Sequence, residues 1–231
     1  MHTPPWHVGL LVPDNNTTMH TELPAWLPMG STCRRVGIPR APGLLTLPDL
    51  DPYVAHAMQL AGAFAGTTDV TVYGCTAAGI LAGPARDATI ASDLTAITGT
   101  PAVTTAGAML AWLRAQSARR IALVTPYSDS VNAQLAQFLS AASIEVQALS
   151  TFRAAGVDEL GRITAAQVAE RADALMAREG RGCDALFIGC SQLPTHAILA
   201  DLQSRHPCPV SSSIHATAWQ VVERMGADVA A

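Results

Sequence analysis

Short apolar runs bounded by proline, glycine and hydroxyl residues set the rhythm of this chain. Val8 to Val12 is a continuous apolar run that stops at Pro13, and Ile121 to Val124 is another that stops at Thr125-Pro126. Val70-Thr71-Val72-Tyr73 and Ala185-Leu186-Phe187-Ile188 lead into Gly74-Cys75-Thr76-Ala77 and Gly189-Cys190-Ser191-Gln192, each followed by small or polar residues able to begin a helix. Pro101-Ala102-Val103-Thr104-Thr105 matches Cys208-Pro209-Val210-Ser211-Ser212 in the same way. Runs this short and this apolar are what strands buried on both faces require. The prolines and the cysteines recur at nearly one interval of about 115 residues, which points to a repeated half-chain unit.

Between these runs the apolar period becomes helical. Val54, Met58, Ala61 and Ala65 follow Asp51-Pro52, and Val131, Leu135 and Phe138-Leu139 follow Ser128-Asp129-Ser130, with cap-forming polar residues ahead of each. Further helices are predicted over 105–116, 164–179, 195–205 and 215–225. Strands alternating with helices predict an α/β protein of two pseudo-symmetric, doubly wound parallel-sheet lobes. The expected division is 1–105 carrying Cys75 and 106–210 carrying Cys190, with 211–231 returning to the first lobe. Ligands of such sheets bind beyond the carboxyl ends of the strands, so Pro13, Cys75, Pro126 and Cys190 are expected around one cleft.

Composition narrows the class of function. The chain has 231 residues, 49% hydrophobic and only 14% charged, enough for a large core and unlike a disordered segment. No apolar stretch is long enough to span a membrane, and the start, Met1-His2-Thr3-Pro4-Pro5, does not read as a signal peptide, so a cytoplasmic location is expected. The net charge is -4 and the basic residues are scattered, which disfavours nucleic acid and favours a small-molecule partner. Five widely spaced cysteines do not make a disulfide framework, and no zinc, dithiol or phosphate-loop motif occurs, so neither metal nor cofactor is expected.

A lone cysteine is often only a small buried hydrophobe. Cys33, Cys183 and Cys208 are read in that way, and His20, His56, His196 and His215 as structural or surface residues. Cys75 and Cys190 differ because the same local setting occurs twice. At a strand end with a helix beginning beyond it, free backbone N–H groups lower a thiol's pKa, so Cys75 is expected to alkylate faster than Cys33 or Cys208 near neutral pH. Asn16, in the loop Asp14-Asn15-Asn16-Thr17-Thr18, and Tyr127, in the matching loop, are candidate carboxylate donors beside their ordinary roles in turns and packing. Two thiols in one cleft allow two chemistries. They can act as acid and base on one carbon, or one can add to an activated double bond while the other moves a proton. Both routes place negative charge on a carboxylate, for which the turns at Thr76-Ala77 and Ser191-Gln192 offer donors.

The chain resembles the maleate cis-trans isomerase and arylmalonate decarboxylase branch of the aspartate/glutamate racemase superfamily. The resemblance rests on Val8-Gly9-Leu10-Leu11-Val12-Pro13, Asn16-Thr17-Thr18-Met19, Gly74-Cys75-Thr76, Val124-Thr125-Pro126-Tyr127 with Val131-Asn132, Gly189-Cys190-Ser191-Gln192-Leu193-Pro194 and Pro209-Val210-Ser211-Ser212-Ser213. It implies a cofactor-independent isomerase of a small unsaturated carboxylic acid, with Cys75 as nucleophile and Cys190 as proton donor. It further implies substrate contacts at Asn16, Thr76, Ala77, Tyr127, Ser191 and Gln192, to which Pro13 is added from its place at the strand end, and is compatible with a homodimer. The decarboxylases keep only the second cysteine and have glycine in place of Cys75. A racemase, a decarboxylase-like enzyme and a non-enzymatic acid-binding protein remain as alternatives. Asp14 and His20 stand where the isomerases usually have Ser and Glu. Val157 falls where the isomerases use an additional Asn, so the pocket is expected to favour one carboxylate beside an apolar substituent, or a differently placed second acid, unless Asp158 or a shifted loop compensates.

Overall fold

The structure is a computed structural model that describes residues 4–40 and 43–229. The first half runs β1 (His7–Pro13), α1 (Met19–Glu22), β2 (Thr32–Ile38), α2 (Leu47–Ala61), β3 (Val70–Tyr73), α3 (Thr76–Thr98), β4 (Ala102–Thr104) and α4 (Thr105–Ala115). The second half runs β5 (Arg120–Thr125), α5 (Asp129–Ser140), β6 (Glu145–Thr151), α6 (Val157–Arg162), α7 (Ala165–Glu179), β7 (Ala185–Ile188), α8 (His196–Arg205), β8 (Val210–Ser212) and α9 (Ser213–Val229). Two four-stranded parallel sheets result, ordered β2-β1-β3-β4 and β6-β5-β7-β8, so the repeat in the sequence is a repeat of topology. Among the described residues no helix is long and apolar enough to cross a membrane.

The inner strands are the apolar runs of the sequence, and both faces of β1 are buried. Val8, Leu10 and Val12 pack with Ile214, Ala218 and Val221 of α9. Leu11 turns the other way, into a cluster with Tyr53, Ala57 and Ile90. Met109, Trp112 and Leu113 of α4 pack with Ile121, Leu123 and Phe187 of the second sheet. The helix ending the first half thus serves the second core, the last helix serves the first core, and the two helices touch.

Four elements depart from the sequence reading. Strands β2 and β6 were not foreseen, because each carries exposed charged or polar positions such as Arg34, Arg35 and Glu145, unlike the other two edge strands, β4 and β8, which are buried throughout. Helix α2 begins at Leu47, capped by Thr46 and Asp49, rather than after Asp51-Pro52. It carries Pro52 inside at the loss of an internal hydrogen bond. Helix α3 is kinked at Gly83, whose φ of 78° is left-handed, immediately before Pro84.

The two glycines ahead of the cysteines look equivalent in sequence and are not equivalent in space. A Cβ on Gly74 would lie 2.6 Å from Val12 Cγ1 and 2.7 Å from Met19 Sδ. Both neighbours are fully buried and cannot yield. A Cβ on Gly189 would meet Leu123 at an ordinary 3.5 Å. Gly74→Ala is therefore expected to destabilise by about 1–3 kcal/mol through overpacking. Gly189→Ala is expected to be neutral or stabilising by up to about 1 kcal/mol. Urea denaturation of the two variants checks this, and equal losses would contradict it.

Candidate active site

The carboxyl ends of the four inner strands β1, β3, β5 and β7 converge on one cavity that both sheets share. Pro13 comes from β1, Cys75 follows β3, Tyr127 follows β5 and Cys190 follows β7, and all four line it. Asn16, Thr76, Ala77, Ser191 and Gln192 line it too.

The loop bearing Cys190 is fastened to the first half of the chain. Asn16 Nδ2 donates to Ser191 Oγ at 3.1 Å, and Ser191 Oγ donates to the Gly74 carbonyl at 2.7 Å. Gln192 Oε1 accepts from Thr17 N at 3.0 Å, while Gln192 Nε2 donates to Thr17 Oγ1 at 3.1 Å. The Glu22 carboxylate accepts from the backbone N–H groups of Thr195 and His196 at 3.0 Å, satisfying donors at the start of α8. Asn16 Oδ1 meanwhile accepts from Thr18 N and Met19 N. Ser191 and Gln192, expected as substrate contacts, thus have side chains committed to joining the halves.

A second network aims Tyr127. Its carbonyl accepts from Asn132 Nδ2 at 3.1 Å and from Thr151 Oγ1 at 2.6 Å. The Thr125 hydroxyl donates to Asn132 Oδ1 at 2.7 Å, so a buried asparagine ties the end of β5 to the start of α5. With its backbone fixed, Tyr127 places its ring in the wall of the cavity and is 5% exposed.

The surroundings of the two thiols differ. Cys75 caps α3, and the backbone N–H groups of Ala77 and Ala78 point at its sulfur, with the Tyr53 hydroxyl and the Arg40 guanidinium also acting on it. Cys190 has no helix directly after it. A turn follows instead, in which Gln192 N donates to Cys190 Sγ at 3.4 Å, with the Leu193 N–H and the Tyr127 hydroxyl nearby. Both settings supply the donors that the sequence led one to expect. Burial nevertheless prevails over them: with Cys75 4% and Cys190 6% exposed, desolvation pushes both thiols above the ordinary cysteine value. The expectation of a lowered Cys75 pKa is thus corrected, because a closed apolar cavity penalises the thiolate more than a few N–H groups favour it. Below a raised pKa the thiolate fraction grows about tenfold per pH unit. Residue-resolved alkylation should accordingly find Cys75 slow near neutrality, with a rate climbing past the usual cysteine range; a plateau below pH 7 would refute this.

The same cavity contains donors with no acceptor. Thr76 Oγ1 and the Tyr127 hydroxyl are buried and form no well-directed hydrogen bond, although Tyr127 lies beside Cys190 and Thr76. Arg40 Nε is a third. Each unpaired buried polar group costs about 1–3 kcal/mol, so a wall with several is suited to an anionic ligand that pairs them.

Several wall residues were not foreseen. Arg40, Leu44 and Leu45 come from the loop after β2, Val131 from α5 and Leu160 from α6. Val157, expected to line the pocket, is half-buried at the first position of α6 and does not; Leu160, one turn further along the same face of the helix, does. An unrecognised edge strand hides the loop that follows it, and this is why Arg40 escaped notice. Cys33, Cys183 and Cys208 lie outside the cavity, and no histidine among the described residues lines it.

Comparison with known proteins places this arrangement. The model of the arylmalonate decarboxylase family matches residues 49–231. A maleate isomerase of Nocardia farcinica is 29% identical, covering 96% of this chain and 91% of its own. An arylmalonate decarboxylase of Bordetella bronchiseptica is 30% identical over 77% of this chain and 72% of its own. A solved structure of the Nocardia farcinica maleate cis-trans isomerase, a cysteine-to-serine mutant with a covalently bound succinylcysteine intermediate, superposes with a TM-score of 0.84 at 25% identity, covering 95% of this chain and 92% of that one. A repeated parallel-sheet topology, one cavity between the sheets and a family match spanning most of the sequence lead to one conclusion: the chain belongs to the arylmalonate decarboxylase family.

Proposed function

We propose that the protein is a cofactor-independent cis-trans isomerase of a small unsaturated carboxylic acid, of the maleate-to-fumarate type. One observation carries this reading above all: two buried thiols, one from each sheet, share a cavity whose unpartnered donors suit a carboxylate. The covalent succinylcysteine in a solved relative supports it. A decarboxylase that keeps one cysteine has no task for Cys75.

The chemistry follows from the placement of the groups. The Cys75 thiolate adds to one alkene carbon, forming a C–S bond, and the π electron pair moves onto the neighbouring carboxylate as an enediolate. Thr76 and Tyr127 hydroxyls donate to that growing charge, as do the N–H groups opening α3. Rotation about what is now a single bond carries the far carboxylate round. Cys190 delivers its proton to the carbanionic carbon and takes it back, and elimination of Cys75 restores the alkene in the trans geometry. Protons, electrons and thiols balance over the cycle. Because the free enzyme holds Cys75 protonated, proton loss from that thiol belongs to the cost of reaching the adduct.

Proton NMR of maleate with the enzyme in deuterated buffer tests the reading. Appearance of fumarate is the expected result. Its absence, together with deuterium entering a retained sp³ centre of another acid, would replace isomerisation by racemisation. A second reading has one observation in its favour: Leu44, Leu45, Val131 and Leu160 form an apolar wall that would suit an aryl or alkyl malonate. Release of carbon dioxide from such a malonate in the same screen would support it. The cytoplasmic location and homodimeric state expected from the sequence belong to the first reading, and sedimentation of the purified protein tests the second of these.

A further inference from the structure

Arg40 is the one charged residue among the described residues that line the cavity. It stands just beyond the carboxyl end of β2, in a wall otherwise built by Leu44, Leu45, Val131 and Leu160. Among the described residues it enters no ion pair, and its buried Nε has no hydrogen-bond partner. The nearest acid it shares a groove with, Asp49, is engaged by the Thr46 backbone N–H at the head of α2. The buried Nε of this half-buried side chain loses hydration that nothing in the free protein restores. The other unpartnered donors of the cavity are neutral hydroxyls of Thr76 and Tyr127, next to the thiols.

We infer that Arg40 is the specificity-determining residue of this cavity, receiving the second carboxylate of the substrate and setting its preference for a diacid over a monoacid with an apolar substituent. One carboxylate sits on the neutral donors beside the thiols, where charge must grow during reaction. The other sits on Arg40, where a fixed cation with fork-shaped donors matches a carboxylate that only anchors. The anchor that an apolar Val157 cannot supply thereby comes from the end of β2 and not from α6. This inference rests on the reading of the cavity as an acid-binding site, and it concerns binding and not turnover.

Calorimetric titration with succinate and with butyrate separates the two. The wild type is expected to bind succinate more tightly than butyrate. Arg40→Met should weaken succinate by about 10- to 100-fold, the scale of a charge-assisted pair, and shift butyrate by less than about 3-fold. Retained butyrate binding shows that the variant is folded, and Arg40→Lys should recover part of the preference. The inference is overturned if the wild type shows no preference, if Arg40→Met weakens both acids alike, or if it changes only the alkylation rate of Cys75. Failure of the isomerase reading looks different: maleate is then not converted, while the Arg40-dependent preference for succinate persists.

Discussion

Cys75→Ser is expected to fold as the wild type does and to lose at least about 10³-fold in maleate turnover, since a serine hydroxyl lacks the acidity and nucleophilicity on which adduct formation depends. The substitution exchanges one atom at a position 4% exposed. Serine is nearly isosteric with cysteine, so the cost to stability should not exceed about 1–3 kcal/mol, that of one buried hydroxyl without a partner. The complementary Cys190→Ser variant keeps the nucleophile and lacks the proton donor. Mass spectrometry of that protein mixed with maleate should find Cys75 carrying the mass of one substrate. Full turnover by Cys75→Ser would remove the nucleophile assignment, and an adduct on Cys190 alone would exchange the two roles.

The second large effect concerns the unpartnered hydroxyls. Replacing Tyr127 by Phe and Thr76 by Val removes two buried donors that lack an acceptor in the free protein. Loss of donors to a developing enediolate should lower kcat/KM by about 10²- to 10³-fold for each well-aimed group. Stability should move in the opposite direction, or stay level, because an unsatisfied buried hydroxyl is a liability when nothing is bound. Activity down with melting temperature unchanged or raised is a pattern that a structural role for either residue would not give. A lower melting temperature for Tyr127→Phe would show that its hydroxyl holds the fold and not the ligand. Trade-offs of this sign are common where a binding site is held ready at the expense of stability.

Different parts of the molecule were legible to different degrees. The inner strands β1, β3, β5 and β7 announced themselves as short, largely apolar runs because both faces are covered, and helices such as α4 and α7 kept nearly their predicted bounds. Strands β2 and β6 gave no such signal, since they retain exposed polar residues that the other two edge strands, β4 and β8, lack. With β2 went its following loop, and with that loop Arg40. The kink at Gly83-Pro84 and the early start of α2 turn on local backbone geometry that periodicity does not encode. Gly74 and Gly189 show the same limit at a single atom: one meets Val12 and Met19 and the other meets open packing, although their sequence settings match.

By itself the sequence determined the repeat, the parallel sheets and the pairing of Cys75 with Cys190, because these follow from hydrophobic spacing and from the side on which a parallel strand must end. Tertiary structure alone decided how those thiols ionise, which donors are free and where the cavity carries charge. Burial of both sulfurs reversed the expected direction of their pKa, the latch across the halves occupied Ser191 and Gln192, and the edge-strand loop brought Arg40 to the wall. Desolvation and hydrogen-bond satisfaction depend on everything that surrounds an atom, whereas spacing along the chain reports only what precedes and follows it.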